Sequence, residues 1–223
     1  MKKYVLLLIL IRLITSCAAP ATITKKEAYP KMYDEKPLSI LVMPPINRST
    51  HAEAKEWFLT TLMQPVSSFG YYVFPSIMTT EVLKNESAYD AEIFADAPLE
   101  KFNTIFGADA LLFTTINKWD KNVVLSQVTV NIGYVLKSTK SNEILWSKQS
   151  ELNVDTSVSS GAGGWIGLVV DVAASAVNTA ATDYVPIARQ VNNTATSDVP
   201  RGKYHPRHGL DAGDISKPTT VKK

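Results

Sequence analysis

The sequence is nearly free of cysteine: Cys17 is the single one in 223 residues. No intramolecular disulfide can form, and no second thiol is available to share a zinc site. Histidine is scarce as well, at three residues. No apolar run reaches the roughly 20 residues that a membrane-spanning helix needs, since the aliphatic stretch from Tyr4 to Leu13 is interrupted by Arg12. Charge is balanced at 23 Lys+Arg against 21 Asp+Glu, which excludes the clustered positive surface of a nucleic-acid-binding protein. The Lys-Ser/Thr element of a phosphate loop, the G-x-S-x-G elbow and the S-x-x-K pair are all missing, and with them the local signatures of nucleotide binding and of serine hydrolases.

What is present begins with the context of that cysteine. Lys2 and Lys3 form a short positive head, the aliphatic core follows, and Thr15-Ser16 are small. This is the layout of a secretory signal peptide. The order Ile14-Thr15-Ser16-Cys17 resembles the bacterial lipobox, which implies cleavage before Cys17 and acylation of its thiol. An ordinary signal peptide with an incidental cysteine is the alternative. Two or three acyl chains, at about 0.8 kcal/mol per buried CH₂, anchor a protein stably. Ala18 after the cysteine favours the outer membrane within that resemblance. Loss of residues 1–16 removes Lys2, Lys3 and Arg12, leaving 20 basic against 21 acidic side chains and about 207 residues, enough for one domain with a real core.

Along the mature chain, residues 17–37 read as the lipidated Cys and a tether, 38–195 as an α/β domain, and 196–223 as a basic C-terminal tail. Leu38–Pro45 (LSILVMPP) has the pattern of a buried strand. Thr50-x-x-Glu53 predicts a capping box opening a helix, with Ala54, Phe58 and Leu62 on its apolar face and Pro65 as its limit. Gly70–Pro75 (GYYVFP) predicts a short strand, Ser76–Lys84 a helix, and Leu99–Phe106 another, closed by Gly107. ADALLFTTINKW, apolar on both faces at Leu111–Phe113, predicts a central strand. Val124, Ser126, Val128, Val130, Ile132, Tyr134 and Leu136 occupy alternate positions, which predicts a long strand with one wet face. EILWSKQSELNV returns as its antiparallel partner. The fold class expected is therefore α/β: a single mixed sheet with an antiparallel hairpin and helices packed against it.

GAGGW, Gly161–Trp165, is read as a loose entry to a helix over about 165–190. The apolar stripe of that helix reads either as packing against the sheet or, with Trp165, Val169 and Val170, as a candidate interface for a membrane, a partner or a second copy. His205-x-x-His208 could hold a metal only in a helix, which Pro206 disfavours, so a solvated tail is expected and no metal or cofactor is implied. His51 is read as a surface residue, and no catalytic residue is assigned.

The stretches LSILVMPPINRST, GYYVFP, FGADALLFTTI, EILWS and VPRGKYHP together resemble a family of bacterial outer-membrane lipoproteins of unknown function. That family is similar in fold to the N-terminal domain of TolB and to the periplasmic part of CsgG, the curli secretion lipoprotein. The resemblance implies an envelope protein that acts by binding, without catalysis. Two roles follow from it: a component or accessory of an outer-membrane transport or secretion assembly, self-assembling as a homo-oligomer, or a regulator touching another envelope machine such as a peptidoglycan synthase. A hydrolase is a distant third. About 20 residues of tether would span at most about 70 Å, so contact near the membrane is expected.

Overall fold

The computed structural model describes residues 22–85, 91–122, 124, 127–155 and 183–217. Element order is α1 (Lys25–Ala28), α2 (Pro30–Glu35), β1 (Ser39–Val42), β2 (Ile46–Asn47), α3 (Ala54–Ser68), β3 (Tyr72–Val73), α4 (Ser76–Asn85), α5 (Glu92–Ala95), α6 (Glu100–Phe106), β4 (Ala110–Asn122), β5 (Gln127–Ser138), β6 (Ile144–Asp155) and α7 (Tyr184–Thr196). The six strands form one mixed sheet, ordered β3-β1-β4-β5-β6, with β2 also pairing β4. Pairs β1–β3, β1–β4 and β2–β4 are parallel, and β4–β5 and β5–β6 are antiparallel.

The alternation of side chains along each strand splits the core between two layers of helices. Ile40, Val42, Ala110, Leu112 and Ile116 join Phe58, Leu62, Ile187 and Val191 on the face covered by α3 and α7. Leu41, Met43, Leu111 and Phe113 join Leu83, Leu99 and Phe102 on the face covered by α4 and α6. Each large side chain so buried contributes about 1.5–3 kcal/mol. The first half of β4 is therefore buried on both faces and sits between β1 and β5, as its apolar run predicts. Val128, Val130, Ile132, Tyr134 and Leu136 are at most 1% exposed. Val124, at the turn between β4 and β5, is 93% exposed; the strand begins only at Gln127, so the periodicity overshoots into the turn.

Three local expectations change. Thr50 and Glu53 do not form a capping box: Glu53 is the N-cap of α3 without a side-chain bond. The entry is held instead by Asn47, whose amide donates to His51 O at 2.7 Å and whose carbonyl accepts from Ser49 N at 3.0 Å. Pro65 lies inside α3, which continues to Ser68; so near the C-terminus the missing N–H costs a single helix bond. Finally, no single helix runs unbroken over 165–190. Asp183 is extended (φ −75°, ψ 130°) and its side chain accepts from Val185 N, so α7 starts at Tyr184 and ends at Thr196. Burial of Tyr184, Ile187, Ala188, Val191, Asn192 and Ala195 gives α7 one continuous apolar face. Asn192 on that face ties the layers together, accepting from Tyr134 Oη at 2.6 Å and donating to Thr61 Oγ1 at 2.8 Å.

Candidate functional site: a buried clasp between the two ends of the domain

The described parts of the expected tether and tail, residues 22–37 and 196–217, are both folded, and they hold each other. Thr24 pairs with Ile215 in an antiparallel bridge. Lys25 N donates to Asp214 O at 2.8 Å, Lys26 N to Ala212 O at 3.1 Å, and Ser216 N to Ile23 O at 2.8 Å. A capping box at Thr24 and Glu27 starts α1, and Pro30 occupies the first turn of α2. Met32 of α2 is buried in the main core. The tether reading fails from Thr24 onward because these short helices have a surface to pack on.

Beneath this pairing lies a cluster of buried charges. The Asp198 side chain, 1% exposed, sits just beyond the end of α7. It accepts from Tyr29 Oη at 2.6 Å, Lys148 Nζ at 2.9 Å, Ser216 Oγ at 3.1 Å and Lys217 N at 2.8 Å. One carboxylate thus joins the N-terminal segment, strand β6 and the C-terminal segment. Burial by itself would raise its pKa, but the Tyr29 hydroxyl, the Lys217 amide and the Lys148 ammonium outweigh burial and hold it below the ordinary carboxylate value. The same burial, with the neighbouring Asp198, pushes the Tyr29 phenol up to about 12. Lys25 Nζ donates to Ser197 O and Val199 O at 3.2 and 3.3 Å, placing a cation at the C-cap of α7 and just beyond it. Its burial lowers its pKa, partly offset by Asp211 and Asp198. The Asp211 side of the clasp is looser. Asp211 Oδ2 accepts from Arg201 N at 2.8 Å and lies 3.9 Å from Lys25 Nζ, while Asp211 Oδ1, Tyr33 Oη and Arg201 Nε are buried without a hydrogen bond.

Two of the sequence stretches that carry the family resemblance meet here. A Cβ on Gly202 would come 2.3 Å from Gly70 O, and one on Gly70 (φ +85°) 2.3 Å from His205 N. Gly202 N donates to Phe69 O and Tyr204 N to Gly70 O, and Tyr71 Oη donates to Pro200 O. GYYVFP and GKYHP are therefore two sides of one backbone-to-backbone contact that only glycines permit. Ser67, Gly70, Tyr72, Tyr204 and Pro206 line an open groove along it.

The expected site residues fare differently. Cys17, Trp165, Val169 and Val170 lie outside the described residues. His205 and His208 are not in a helix: His205 Nε2 lies 2.7 Å from Arg201 Nη1, its Nδ1 accepts from Arg207 N, and His208 Nδ1 donates to Arg201 O. The guanidinium-facing imidazole is a poor metal ligand; burial first, then Arg201 and Arg207, lower its pKa. Among the described residues no group of three or more His, Cys, Asp or Glu could hold a metal ion. His51 is exposed, with Tyr184 beside it at 5.6 Å between ring centroids. The clasp residues Lys25, Tyr29, Lys148, Asp198 and Asp211 escape a sequence reading, since scattered charges look alike until folding buries them.

The model of the family described as "Putative lipoprotein GNA1162-like" matches residues 28–202, from α1 to the glycine contact. The chain belongs to this family. It is 31% identical over 170 residues to the "Putative lipoprotein NMB1124/NMB1162" of Neisseria meningitidis serogroup B, covering 75% of this chain and 76% of that one. The crystal structure of lipoprotein GNA1162 from Neisseria meningitidis shares 30% identity at a TM-score of 0.52, over 60% of this chain and 94% of that one. A PelC dodecamer from Paraburkholderia phytofirmans aligns at a TM-score of 0.44 and 11% identity, over 70% and 84%. Membership in a lipoprotein family fits a lipid-anchored envelope location, and the fold is the mixed α/β sheet of that family.

Proposed function

We propose that the protein is anchored through acylated Cys17 in the outer membrane, its domain facing the periplasm, and that it acts by protein–protein binding close to the membrane, as a component or accessory of a transport or secretion assembly. The clasp carries this reading. With Thr24 paired to Ile215, only Ala18 to Ile23 separate the anchor from the folded body, a reach of at most about 25 Å. That is about a third of the length expected for a tether running to residue 37, and it speaks against a regulator that must span the periplasm. Exposed Tyr72, Ile77, Met78 and Ile105 near the β3 edge of the sheet are apolar side chains available to a protein partner.

The anchor is tested by replacing Cys17 with Ala. Palmitate labelling should vanish and the protein should leave the membrane fraction; labelling that survives the substitution would falsify the anchor. Reach is tested by inserting about 20 flexible residues, long enough to add tens of ångströms of chain, between Thr22 and Ile23. A membrane-proximal partner should cross-link less efficiently to the lengthened protein, whereas unchanged or improved capture would favour the spanning regulator.

A further inference from the structure

The pairing that closes the clasp also builds an exposed surface of a particular composition. Leu210 is 71% exposed, Ile215 61% and Ile23 40%. Ile215 stands beside Thr24 in the antiparallel bridge, and the Ser216 N to Ile23 O bond fixes the neighbouring Ile23 backbone on the same short ribbon. Lys26, Lys203, Arg207 and Lys217 are exposed on the same two segments. Opposing them are Asp214, 4.0 Å from Arg207, and Glu27, whose carboxylate is engaged by Thr24. Asp198 and Asp211 are buried in the clasp. The remaining charge of the 201–217 segment is positive.

We propose that this end of the domain, the 203–217 segment with exposed Leu210 and Ile215, rests on an anionic phospholipid bilayer. The inference relies on the lipid anchor at Cys17 proposed above. The chain length sets the occupant: Ile23 stands six residues from Cys17, within about 22 Å of an anchored thioether, so this part of the domain is held at the bilayer whatever else the protein binds. Exposed aliphatic side chains on a segment that also carries exposed Lys and Arg are what an interfacial site needs, the apolar groups entering the headgroup boundary and the basic groups attracted to anionic lipid. Acyl chains and face then act as two signals on one membrane.

The test uses the full acylated chain, whose cysteine is consumed by lipid, so that Leu210→Cys or Ile215→Cys supplies one free thiol for an environment-sensitive fluorophore. The control is Val124→Cys at the far end of the β4–β5 hairpin, about 40 Å along β5 from Ser138. In vesicles of phosphatidylglycerol and phosphatidylethanolamine the labels at 210 and 215 should shift to the blue and be quenched by a lipid-borne quencher, and the label at 124 should not. The shift should be lost in phosphatidylcholine vesicles and in about 0.5 M salt, where screening is short-ranged, or with Lys26→Glu, Arg207→Glu and Lys217→Glu combined. Protein that floats with the vesicles while labels at 210 and 215 stay in water overturns the docking face and leaves the anchor standing. Protein that fails to float overturns the anchor, and the face with it.

Discussion

Asp198 receives two hydroxyl groups, an amide and an ammonium group inside the protein, so its removal leaves Lys148 as an unpaired buried cation. Asp198→Asn should therefore lower stability by about 3–5 kcal/mol, read as a shift in the denaturant midpoint. Asp211→Asn, on the looser side, should cost less, about 1–3 kcal/mol. Because the Asp198 carboxyl is held below the ordinary carboxylate value in the folded state, its contribution is fully present above the unfolded pKa and is lost as pH falls through the folded one. The gap between the native chain and Asp198→Asn should thus be widest near neutrality and shrink below about pH 4; a gap independent of pH would mean that the carboxylate charge is not what holds the clasp. Glycine makes a second residue-level case. Gly202→Ala would drive a methyl group against the Gly70 carbonyl, a backbone atom that cannot swing away, and should cost at least about 1–3 kcal/mol. Gly213, with nothing near its Cβ position, should accept alanine with little change.

At the level of elements, the alternation along β5 makes a sharp contrast. Val130→Asp forces a charge into the fully buried face and should cost several kcal/mol, whereas Thr129→Lys, on the partly open face opposite Asp120, should be tolerated in a melting experiment. Asn131 is not equivalent to Thr129. Though on the same face, it is buried and bonded to Asn117, Gln149 and Glu151, so an aspartate there would face the Glu151 carboxylate. Strands and helices were legible where their apolar periods are long: β4, β5, β6, α3 and α6 all appear near their predicted limits. The capping-box pattern shows why the rest was not. Thr50-x-x-Glu53 has the right spelling and no box, while Thr24-x-x-Glu27, inside a stretch that reads as tether, forms one. A cap is a weak local preference of about 1 kcal/mol, and the outcome is set by what the helix can pack on. For α1 that support comes from residues 212–216, which no local window includes.

The described molecule departs most from the sequence reading in residues 22–37 and 196–217, since neither segment stays free of the domain. Lys25 and the Val199 carbonyl it reaches are 174 positions apart, and joining segments so distant costs chain entropy that local contacts cannot offset. A chain truncated after Thr196 keeps every strand and helix of the sheet layers but loses the clasp. It should melt lower than the full chain, and limited proteolysis should cut first within residues 22–36. Melting and cleavage unchanged by the truncation would show the clasp to be dispensable. The distance also has a temporal side. A chain that crosses a membrane N-terminus first delivers Lys25 early and Asp198 to Lys217 last, so the sheet can assemble while its entrance is still loose. Closing the clasp then waits for Asp198 and the residues after it: under the anchor proposed above, a chain stopped before Asp198 would hang on a longer, unfastened leader, open to proteases.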